Sequence, residues 1–342
     1  MKNDHKVSMK QIAEKAGLSE SSVCHILNGS TTYAEKTRKK VLKIADELKY
    51  RPNMLVKSLQ SGTTKTIGVM VPGYGFYGDV VKGIHEVLLE KDYMMLHSWN
   101  PSDVIGEDDK QELKIIHQLL DRRVDGIILR PVNDNAETTY FKELYERNVP
   151  FVVIDRKLPN VECDFIGNDE SEGGRQAAIE LLKYPHKRVI GYGTHNSIST
   201  CYERLEAFQK ECERRGVDCE LYYEHDSAKS AKYLDSLFKS KDAPTAVFCY
   251  NDNCALQVYQ VAKKMSLKIP EQVSVIGYSD KEFTSYLNPE LSTFDQQSEL
   301  IGSVAAQTLL TLIEKGIDRR SCSTLIKPKF VCRDSHIVEA KV

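Results

Sequence analysis

Four side chains that can form hydrogen bonds fall on one face of a short helix predicted near the amino terminus. They belong to Glu20, Ser21, Cys24 and His25. Positions three and four apart share a side of a helix, so all four point away from the apolar face of residues 20–27. Carboxylate, hydroxyl and imidazole groups can bond the edges of DNA bases. Outward polar residues at the start of such a helix are typical of the part of a helix-turn-helix protein that enters the major groove.

The neighbouring elements must position this helix. Ser8 followed by Gln11 has the form of a capping box, which begins a first helix over residues 9–16. Gly17 supplies the left-handed backbone that ends this helix at low cost, and Ser19 can cap the helix that follows. The pattern predicts two helices joined by a tight turn, which favours DNA binding. An ordinary helical hairpin of a small bundle is the alternative.

Two further segments extend the amino-terminal region. A third helix is predicted over residues 35–49, with Thr37 on its exposed side, where a phosphate could bind. Pro52 then stops the helix, and Asn53 can cap another helix that runs to residue 60. That helix has only about two turns, so it is too short to be stable alone in water. It therefore needs a partner surface.

Charge is distributed unevenly along the 342 residues. The whole chain has a formal net charge of -2. Residues 1–60 hold 12 Lys and Arg against 6 Asp and Glu, a net charge of +6, which leaves -8 for residues 61–342. A basic amino-terminal region on an acidic body suits a phosphate-binding module whose remainder does not bind nucleic acid.

Composition excludes several classes of protein. With 41% hydrophobic and 28% charged residues, the chain is typical of a soluble globular protein rather than a disordered one. No apolar run approaches the roughly 20 residues of a membrane span, and the polar start MKNDHK is not a signal peptide, so a cytoplasmic protein is expected. The nine cysteines include no C-x-x-C pair, which favours reduced thiols over disulfide bonds or a zinc site.

From about residue 66 the sequence alternates between apolar, β-rich runs and amphipathic helices. This alternation predicts parallel sheets with helices on both faces. Strands at 67–71, 94–97, 126–129 and 151–154 form a first unit, and strands at 165–167, 189–193, 219–223, 246–250 and 273–278 form a second. Two such units imply two similar α/β lobes with a cleft between them. A last helix over 299–314 is expected to return to the first lobe.

Polar and aromatic residues follow the carboxyl ends of these strands, where α/β sheets bind their ligands. The candidates are Tyr74, Phe76, Tyr77, Arg130, Asp155, Asn251, Asp252, Ser279, Asp280, Asp295 and Gln296. Carboxylates and amides can bond hydroxyl groups, and aromatic faces can stack on the apolar face of a ring. The set therefore suits a polyhydroxylated ligand. Several of these residues could instead be helix caps, Asp252 in particular.

Motifs for catalysis are missing from the sequence. There is no Gly-rich phosphate loop, no G-x-S-x-G elbow and no H-E-x-x-H pattern. An enzyme is therefore not expected, and neither a cofactor nor a metal site is predicted. A sugar-binding receptor without DNA activity is a remaining alternative, but it leaves residues 8–60 without a role.

The order of these parts resembles the LacI/GalR family, the lactose and galactose repressors, over essentially the full chain. The matching stretches are VSMKQIAEKAGLSESSVCHILN, EKTRKKVLKIADELKYRPNMLVKSLQSGTTKTIGV, VDGIIL, YNDNCAL, VSVIGYSD and VCRDS. The resemblance implies an all-α helix-turn-helix headpiece joined to a two-lobed α/β effector domain like that of periplasmic binding proteins. It also implies an allosteric repressor that binds a near-palindromic operator DNA as a homodimer. A sugar or sugar derivative is the expected effector; a purine or other non-sugar effector, or a role as an activator, are alternatives.

The resemblance also divides the chain. Residues 1–52 would form the headpiece, 53–65 a hinge helix and linker, and 66–342 the effector-binding and dimerisation domain. Within that domain, the N-lobe is expected at about 66–160 and 297–325, and the C-lobe at about 161–294 and 326–342.

Site residues are carried over from the family by position. Ser19 and Thr37 would hold phosphates, and Glu20, Ser21 and His25 would face bases. The DNA-binding set also includes Ser8, Asn28, Asn53 and Lys57. Leu59 would wedge into the central base step of the minor groove, with dimer packing as its alternative role. The effector contacts would be Asp155, Arg204, Asn251, Asp252, Ser279 and Gln296.

Several positions depart from the family's pattern. His25 stands where the family very often has arginine, and Cys24 where serine is usual. Arginine can grip a guanine edge with two bonds, whereas neutral histidine offers one donor and one acceptor. In the cleft, Ser279 replaces an aspartate that grips a sugar hydroxyl in relatives, and His225 lies near a position where some relatives have a stacking aromatic ring. Both the base preference and the ligand are therefore expected to differ from those of typical members.

Overall fold

Three helices near the amino terminus pack around a small apolar core. They are α1 (Met9–Ala16), α2 (Glu20–Leu27) and α3 (Glu35–Glu47). Ile12, Val23 and Val41, one from each helix, are fully buried at the centre. The computed structural model describes residues 7–52, 58, 62–73, 75–99, 109–132, 139–158, 161–195, 198–316 and 321–338. The chain divides into two compact units, Met1–Thr64 and Lys65–Val342.

The ends of α1 and α2 have the local structure that their sequence predicts. The N–H of Ser8 donates to Oε1 of Gln11 at 3.0 Å, and the N–H of Gln11 donates to Oγ of Ser8 at 3.4 Å, which completes the capping box. Gly17 ends α1 with a φ of 70°, a conformation that costs little without a Cβ. Ser19 caps α2 by accepting the N–H of Ser22 at 3.2 Å.

The second unit is built from alternating strands and helices. Its described strands are β1 (Thr66–Met70), β2 (Met94–Ser98), β3 (Gly126–Leu129), β4 (Phe151–Ile154), β5 (Asp164–Asn168), β6 (Arg188–Gly193), β7 (Asp218–Tyr223), β8 (Ala246–Cys249), β9 (Ser274–Ile276), β10 (Thr293–Asp295), β11 (Ser323–Ile326) and β12 (Lys329–Val331). Its described α-helices are α4 (Phe76–Glu90), α5 (Asp109–Asp121), α6 (Thr139–Glu146), α7 (Glu170–Leu181), α8 (Ser199–Arg214), α9 (Ser227–Phe238), α10 (Asp252–Met265) and α11 (Ser298–Lys315).

The strands form two parallel sheets, one in each lobe, and a short antiparallel pair. The first sheet has the order β11-β5-β4-β3-β1-β2, the second has the order β7-β6-β8-β9, and β10 pairs with β12. Successive residues of β4 face opposite sides of the first sheet, because side chains alternate along a strand. Val152 packs with α4 and α11, whereas Val153 packs with α5 and α6. Helices therefore cover both faces of this parallel sheet, which confirms the predicted fold class.

One strand belongs to a different lobe from the one that the sequence indicates. The apolar pattern at 165–167 places this strand at the start of the second lobe, but β5 pairs with β4 and β11 in the first sheet. A buried strand has an apolar sequence in either lobe. The pattern therefore predicts that the strand is buried but does not indicate which sheet it joins. The change of lobe expected near residue 160 lies instead after Asn168.

The chain passes between the lobes at three places. They lie between β5 and α7, between β10 and α11, and between β11 and β12. The side chains of α11 pack with those of α4 in the first lobe, where the last helix was expected to return. Within the described ranges, no helix is long and apolar enough to cross a membrane.

Candidate functional site

The exposed face of α2 carries the residues that are predicted to contact bases. Glu20, Ser21 and His25 are exposed there, while Val23 and Ile26 are buried on the opposite side. Glu20, Ser21 and His25 form no side-chain hydrogen bond or ion pair with any other described residue. Their polar groups therefore remain able to bond an external partner.

The other predicted DNA contacts of the described headpiece are partly engaged within it. The hydroxyls of Ser8 and Ser19 accept backbone amides at the starts of α1 and α2. Asn28 is exposed, and its Nδ2 donates to Sγ of Cys24 at 3.5 Å. Thr37 is half-buried in the first turn of α3. A hydroxyl that accepts an amide can still donate its own O–H to a phosphate oxygen, and Asn28 can donate a second N–H.

Four predicted site residues lie outside the described residues. They are Asn53, Lys57 and Leu59 of the expected hinge, and Tyr74 of the expected effector site. Their roles stay predictions.

A cleft of about 380 Å³ lies between the two lobes of the second unit. The predicted effector residues that line it are Phe76, Tyr77, Arg130, Asp155, Arg204, Asn251, Ser279 and Gln296. The two aromatic residues begin α4, and all the others except Arg204 lie within three residues after the end of a strand. The carboxyl ends of strands from both sheets therefore meet around one cavity.

On the N-lobe wall, three side chains form a connected polar group. The hydroxyl of Tyr77 donates to Oδ2 of Asp155 at 2.7 Å and accepts Nε–H of Arg130 at 2.9 Å. Arg130 is buried, and its Nε lies 3.8 Å from the same carboxylate oxygen. Burial raises the pKa of Tyr77, so the phenol stays protonated and keeps donating to Asp155. This wall presents a fixed carboxylate to whatever occupies the cleft.

On the C-lobe wall, Arg204 is held by a buried ion pair. Its Nε donates to Oε2 of Glu170 at 2.7 Å, and its guanidinium carbon lies 3.5 Å from the centre of the Tyr278 ring. Burial raises the pKa of Glu170 to about 7, although Arg204 opposes this shift. Helices α7 and α8 pack closely where Gly174 faces Arg204. A Cβ on Gly174 would lie only 1.9 Å from the carbonyl oxygen of Arg204.

Asp252 lies in the interior and does not line the cleft. It is fully buried, and its carboxylate accepts the hydroxyl of Thr293 at 2.6 Å and the N–H of Lys281 at 2.9 Å. Burial raises its pKa. The cap of α10 is Asn251, whose Oδ1 accepts the N–H of Cys254 at 2.9 Å. The capping role that the sequence offers to Asp252 therefore falls to its neighbour, and Asp252 braces the loop after β9.

Gln296 and Ser279 close the cleft near the crossing segments. Nε2 of Gln296 donates to Oγ of Ser279 at 2.8 Å. Asp280 turns away from this pair, because its carboxylate accepts from the guanidinium of Arg333 at 2.7 Å. Of the neighbours Ser279 and Asp280, it is therefore Ser279 that faces the cavity.

Sequence reasoning missed half of the cleft's lining. The additional residues are Gly75, Arg156, Thr194, His195, Ile198, Thr200, His225, Tyr250, Asn253 and Lys281, of which only His225 was noted in the sequence, for its likeness to a stacking position. The rings of His195 and His225 stack with centres 4.9 Å apart and planes 15° from parallel. Thr194 and His195 directly follow β6, so the strand-end rule that selected Asp155 would have found them as well. Within the described ranges, no group of three or more potential ligands could hold a metal ion.

Known proteins resemble this chain over nearly its whole length. Residues 8–53 match the family described as "Bacterial regulatory proteins, lacI family", and residues 178–336 match a periplasmic binding protein-like domain. The HTH-type transcriptional repressor PurR of Vibrio vulnificus is 31% identical over 339 residues, which cover 96% of this chain and 98% of that protein. The ribose operon repressor of Haemophilus influenzae is 29% identical over 335 residues, with the same coverage of 96% and 98%.

A solved structure shows the same fold. The Lac repressor dimer bound to operator and the anti-inducer ONPF superposes with a TM-score of 0.84 at 23% identity, covering 97% of this chain and 99% of that one. The described headpiece and the two-lobed unit thus both have counterparts in one known architecture.

Proposed function

The chain belongs to the LacI family of bacterial regulatory proteins and is a DNA-binding transcriptional repressor; we propose that a sugar-type small molecule in the cleft controls its binding to a near-palindromic operator. The observation that carries the proposal is the cleft itself. Its walls come from both lobes and carry a fixed carboxylate, amides and aromatic rings. A repressor needs no catalytic motif, which agrees with the lack of such motifs in the sequence.

On the DNA side, two headpieces of a homodimer bind the two half-sites of the operator. The exposed Glu20, Ser21 and His25 contact base edges in the major groove. The family resemblance supports the further proposal that Leu59, which lies outside the described residues, wedges between base pairs in the minor groove. Because a repressor must reach its operator DNA, we expect it to act in the cytoplasm.

On the ligand side, the N-lobe wall is built to bond hydroxyl groups. Asp155 accepts from a ligand hydroxyl, and the ring of Phe76 can stack on the apolar face of a sugar. The related protein from Haemophilus influenzae is named for the ribose operon. A flat heterocycle such as a purine base is the second candidate, because Tyr250 and the stacked imidazoles of His195 and His225 offer further flat surfaces.

Control of DNA binding follows from the position of the cleft. A ligand that contacts both walls binds the closed arrangement of the lobes more tightly than the open one, and so shifts the balance between them. The two arrangements space the headpieces of the dimer differently, so ligand and operator affinities are coupled.

The DNA test uses the full chain and labelled fragments from the region upstream of its own gene. A palindromic fragment should bind at least about 1,000-fold more tightly than a scrambled one at moderate salt. The affinity should fall steeply as salt rises, because phosphate contacts release counterions. Equal retention of the palindromic and scrambled fragments would refute operator recognition.

The ligand test compares two matched carboxylate variants in a thermal-shift and titration screen of sugars and purine bases. Asp155→Asn should lower the affinity for the ligand by roughly 10- to 100-fold, since a hydrogen bond to a charged group contributes about 1.5–3 kcal/mol. Asp218→Asn is the control, because Asp218 is exposed at the start of β7. A ligand that binds tightly yet leaves operator affinity unchanged would refute the proposed control.

A further inference from the structure

The C-lobe wall of the cleft is basic. The titratable side chains that it contributes are His195, Arg204, His225 and Lys281, together with the phenol of Tyr250. No Asp or Glu of this lobe lines the cleft among the described residues. The single carboxylate in the lining, Asp155, comes from the N-lobe wall and is bonded there to Tyr77.

Lys281 carries a charge on this wall that has no directly bonded partner among the described residues, although it acts on the nearby Asp252 carboxylate and lowers the pKa of that group. Its backbone N–H donates to Asp252, but its ammonium group forms no hydrogen bond or ion pair with any other described residue. Arg204 differs, since Glu170 lies against it at 2.5 Å. Lys281 is half-buried, so a neutral ligand seated over it would remove water from an ammonium group without neutralising its charge.

The imidazole pair adds two more hydrogen-bonding groups to this wall. His195 follows β6 and His225 follows β7, and their rings stack in the cleft. Burial lowers the pKa of His195, and His225 and Arg156 lower it further, whereas Glu224 opposes them. Nδ1 of His225 lies 3.5 Å from Oε1 of Glu224. A bound anion would act on the pKa of His195 in the opposite direction to burial, because a nearby negative charge favours the protonated imidazole.

The start of α8 faces the same part of the cleft. Ile198 occupies the cap position of this 16-residue helix, and both Ile198 and Thr200 line the cavity. Ile198 offers no side-chain acceptor to the first-turn amides. The start of a helix has a partial positive charge that favours an anion.

We propose that the effector is an anion, a polyhydroxylated molecule whose carboxylate or phosphate group binds Lys281, His195, His225 and the start of α8. Its hydroxyl groups face Asp155 on the opposite wall. This inference rests on the proposed function, because it names the class of ligand that the same cleft takes. Each wall thereby binds a different part of the ligand. The N-lobe wall bonds its hydroxyl groups, and the C-lobe wall binds its negative group.

The experiment titrates the full chain with matched sets of probes by calorimetry. Each set contains a neutral aldose, the sugar acid of the same configuration and its phosphate ester, with glucose, galactose and ribose as parents and free purine bases as a further arm. An anionic member should bind at least tenfold more tightly than its neutral parent. The sugar acids and the phosphate esters separate the two possible anionic groups.

Three variants locate the negative group. Lys281→Gln and, separately, His225→Gln should each lower the affinity for the anionic probe by tenfold or more. Each should change the affinity for the neutral parent by less than threefold. Lys268→Gln is the control, because Lys268 is exposed and lies outside the cleft; it should change neither affinity. Equal weakening of charged and neutral probes by Lys281→Gln would show a packing role and overturn the inference.

The remaining outcomes separate the inference from the proposed function. A neutral sugar or purine base that binds as tightly as any anion would overturn the inference and leave ligand control of the repressor intact. A chain that binds its operator but none of the probes would count against the sugar-type effector and against the anion together. Operator binding is measured separately, so the two failures are distinguishable.

Discussion

Replacing Gly174 by alanine tests how α7 and α8 position Arg204 at the cleft. An added Cβ would lie 1.9 Å from the carbonyl oxygen of Arg204, whereas carbon and oxygen atoms normally approach to about 3.3 Å. The two helices must therefore separate by about 1.4 Å. Overpacking of this kind costs about 1–3 kcal/mol, and the better helix propensity of alanine offsets up to about 1 kcal/mol of it.

The assay is thermal unfolding of the full chain followed by ligand titration. The clash at Gly174 is with backbone, so the upper end of the range of about 1–3 kcal/mol applies and the net cost is about 2 kcal/mol. At about 2–4 °C for each kcal/mol, Gly174→Ala should lower Tm by roughly 4–8 °C. It should also weaken ligand binding, because the backbone that carries Arg204 moves. Gly78→Ala in α4 is the matched control, since a Cβ there has no neighbour within 4 Å. A Gly174→Ala chain as stable as Gly78→Ala would refute the claim that this close approach positions the site.

Three further predictions concern single side chains. Because burial raises the pKa of Glu170 from 4.5 to about 7, the folded chain holds a proton that the unfolded chain has lost, so this group's contribution to stability falls as pH rises through that window. Glu170→Gln should therefore flatten the decline of Tm between pH 5 and 7.5, and a decline as steep as in the wild type would contradict this. His25→Arg should add a guanine preference of about 1–3 kcal/mol at one half-site position in a DNA-selection experiment; an unchanged consensus would remove His25 from the base contacts. Ser8→Ala should destabilise α1 by about 1 kcal/mol, seen as faster amide exchange confined to the headpiece, and unchanged exchange would show that the capping box contributes little.

The headpiece could be predicted in detail because its signals are local. The capping box at Ser8, the left-handed Gly17 and the cap at Ser19 each act within four residues, and α1 and α2 begin and end where the sequence predicts. The apolar alternation likewise predicted the strands and helices of the second unit. The helix α3 is two residues shorter than predicted, since Lys49 adopts a φ of 51° that ends it.

Long-range pairing accounts for the lobe that the sequence assigned differently. The residues of β5 are buried on both faces, and nothing within the segment distinguishes pairing with β4 from pairing in the second sheet. One neighbour of β5 is β4, but the other is β11 (Ser323–Ile326), which is far away in the sequence, so the sheet of β5 is decided in part by packing far along the chain.

In the cleft, a shift of one residue decided which side chain faces the ligand. Asn251 takes the cap of α10, and this turns Asp252 inward to Thr293. The types of both residues suit either role. Only the three-dimensional arrangement shows which residue takes which role. It likewise shows that Lys281, in the loop after β9, lines the cavity, whereas its neighbour Asp280 is bonded to Arg333.

Asn168 connects the cleft to the segments that join the lobes. This buried residue ends β5, and its Nδ2 donates to the carbonyl oxygens of Gln296 at 2.8 Å and Ile326 at 3.2 Å. One side chain therefore contacts two of the crossing segments and lies at the start of the third. Gln296 in turn lines the cleft and bonds Ser279. The cleft and the crossing segments are therefore linked by hydrogen bonds through Gln296 and Asn168.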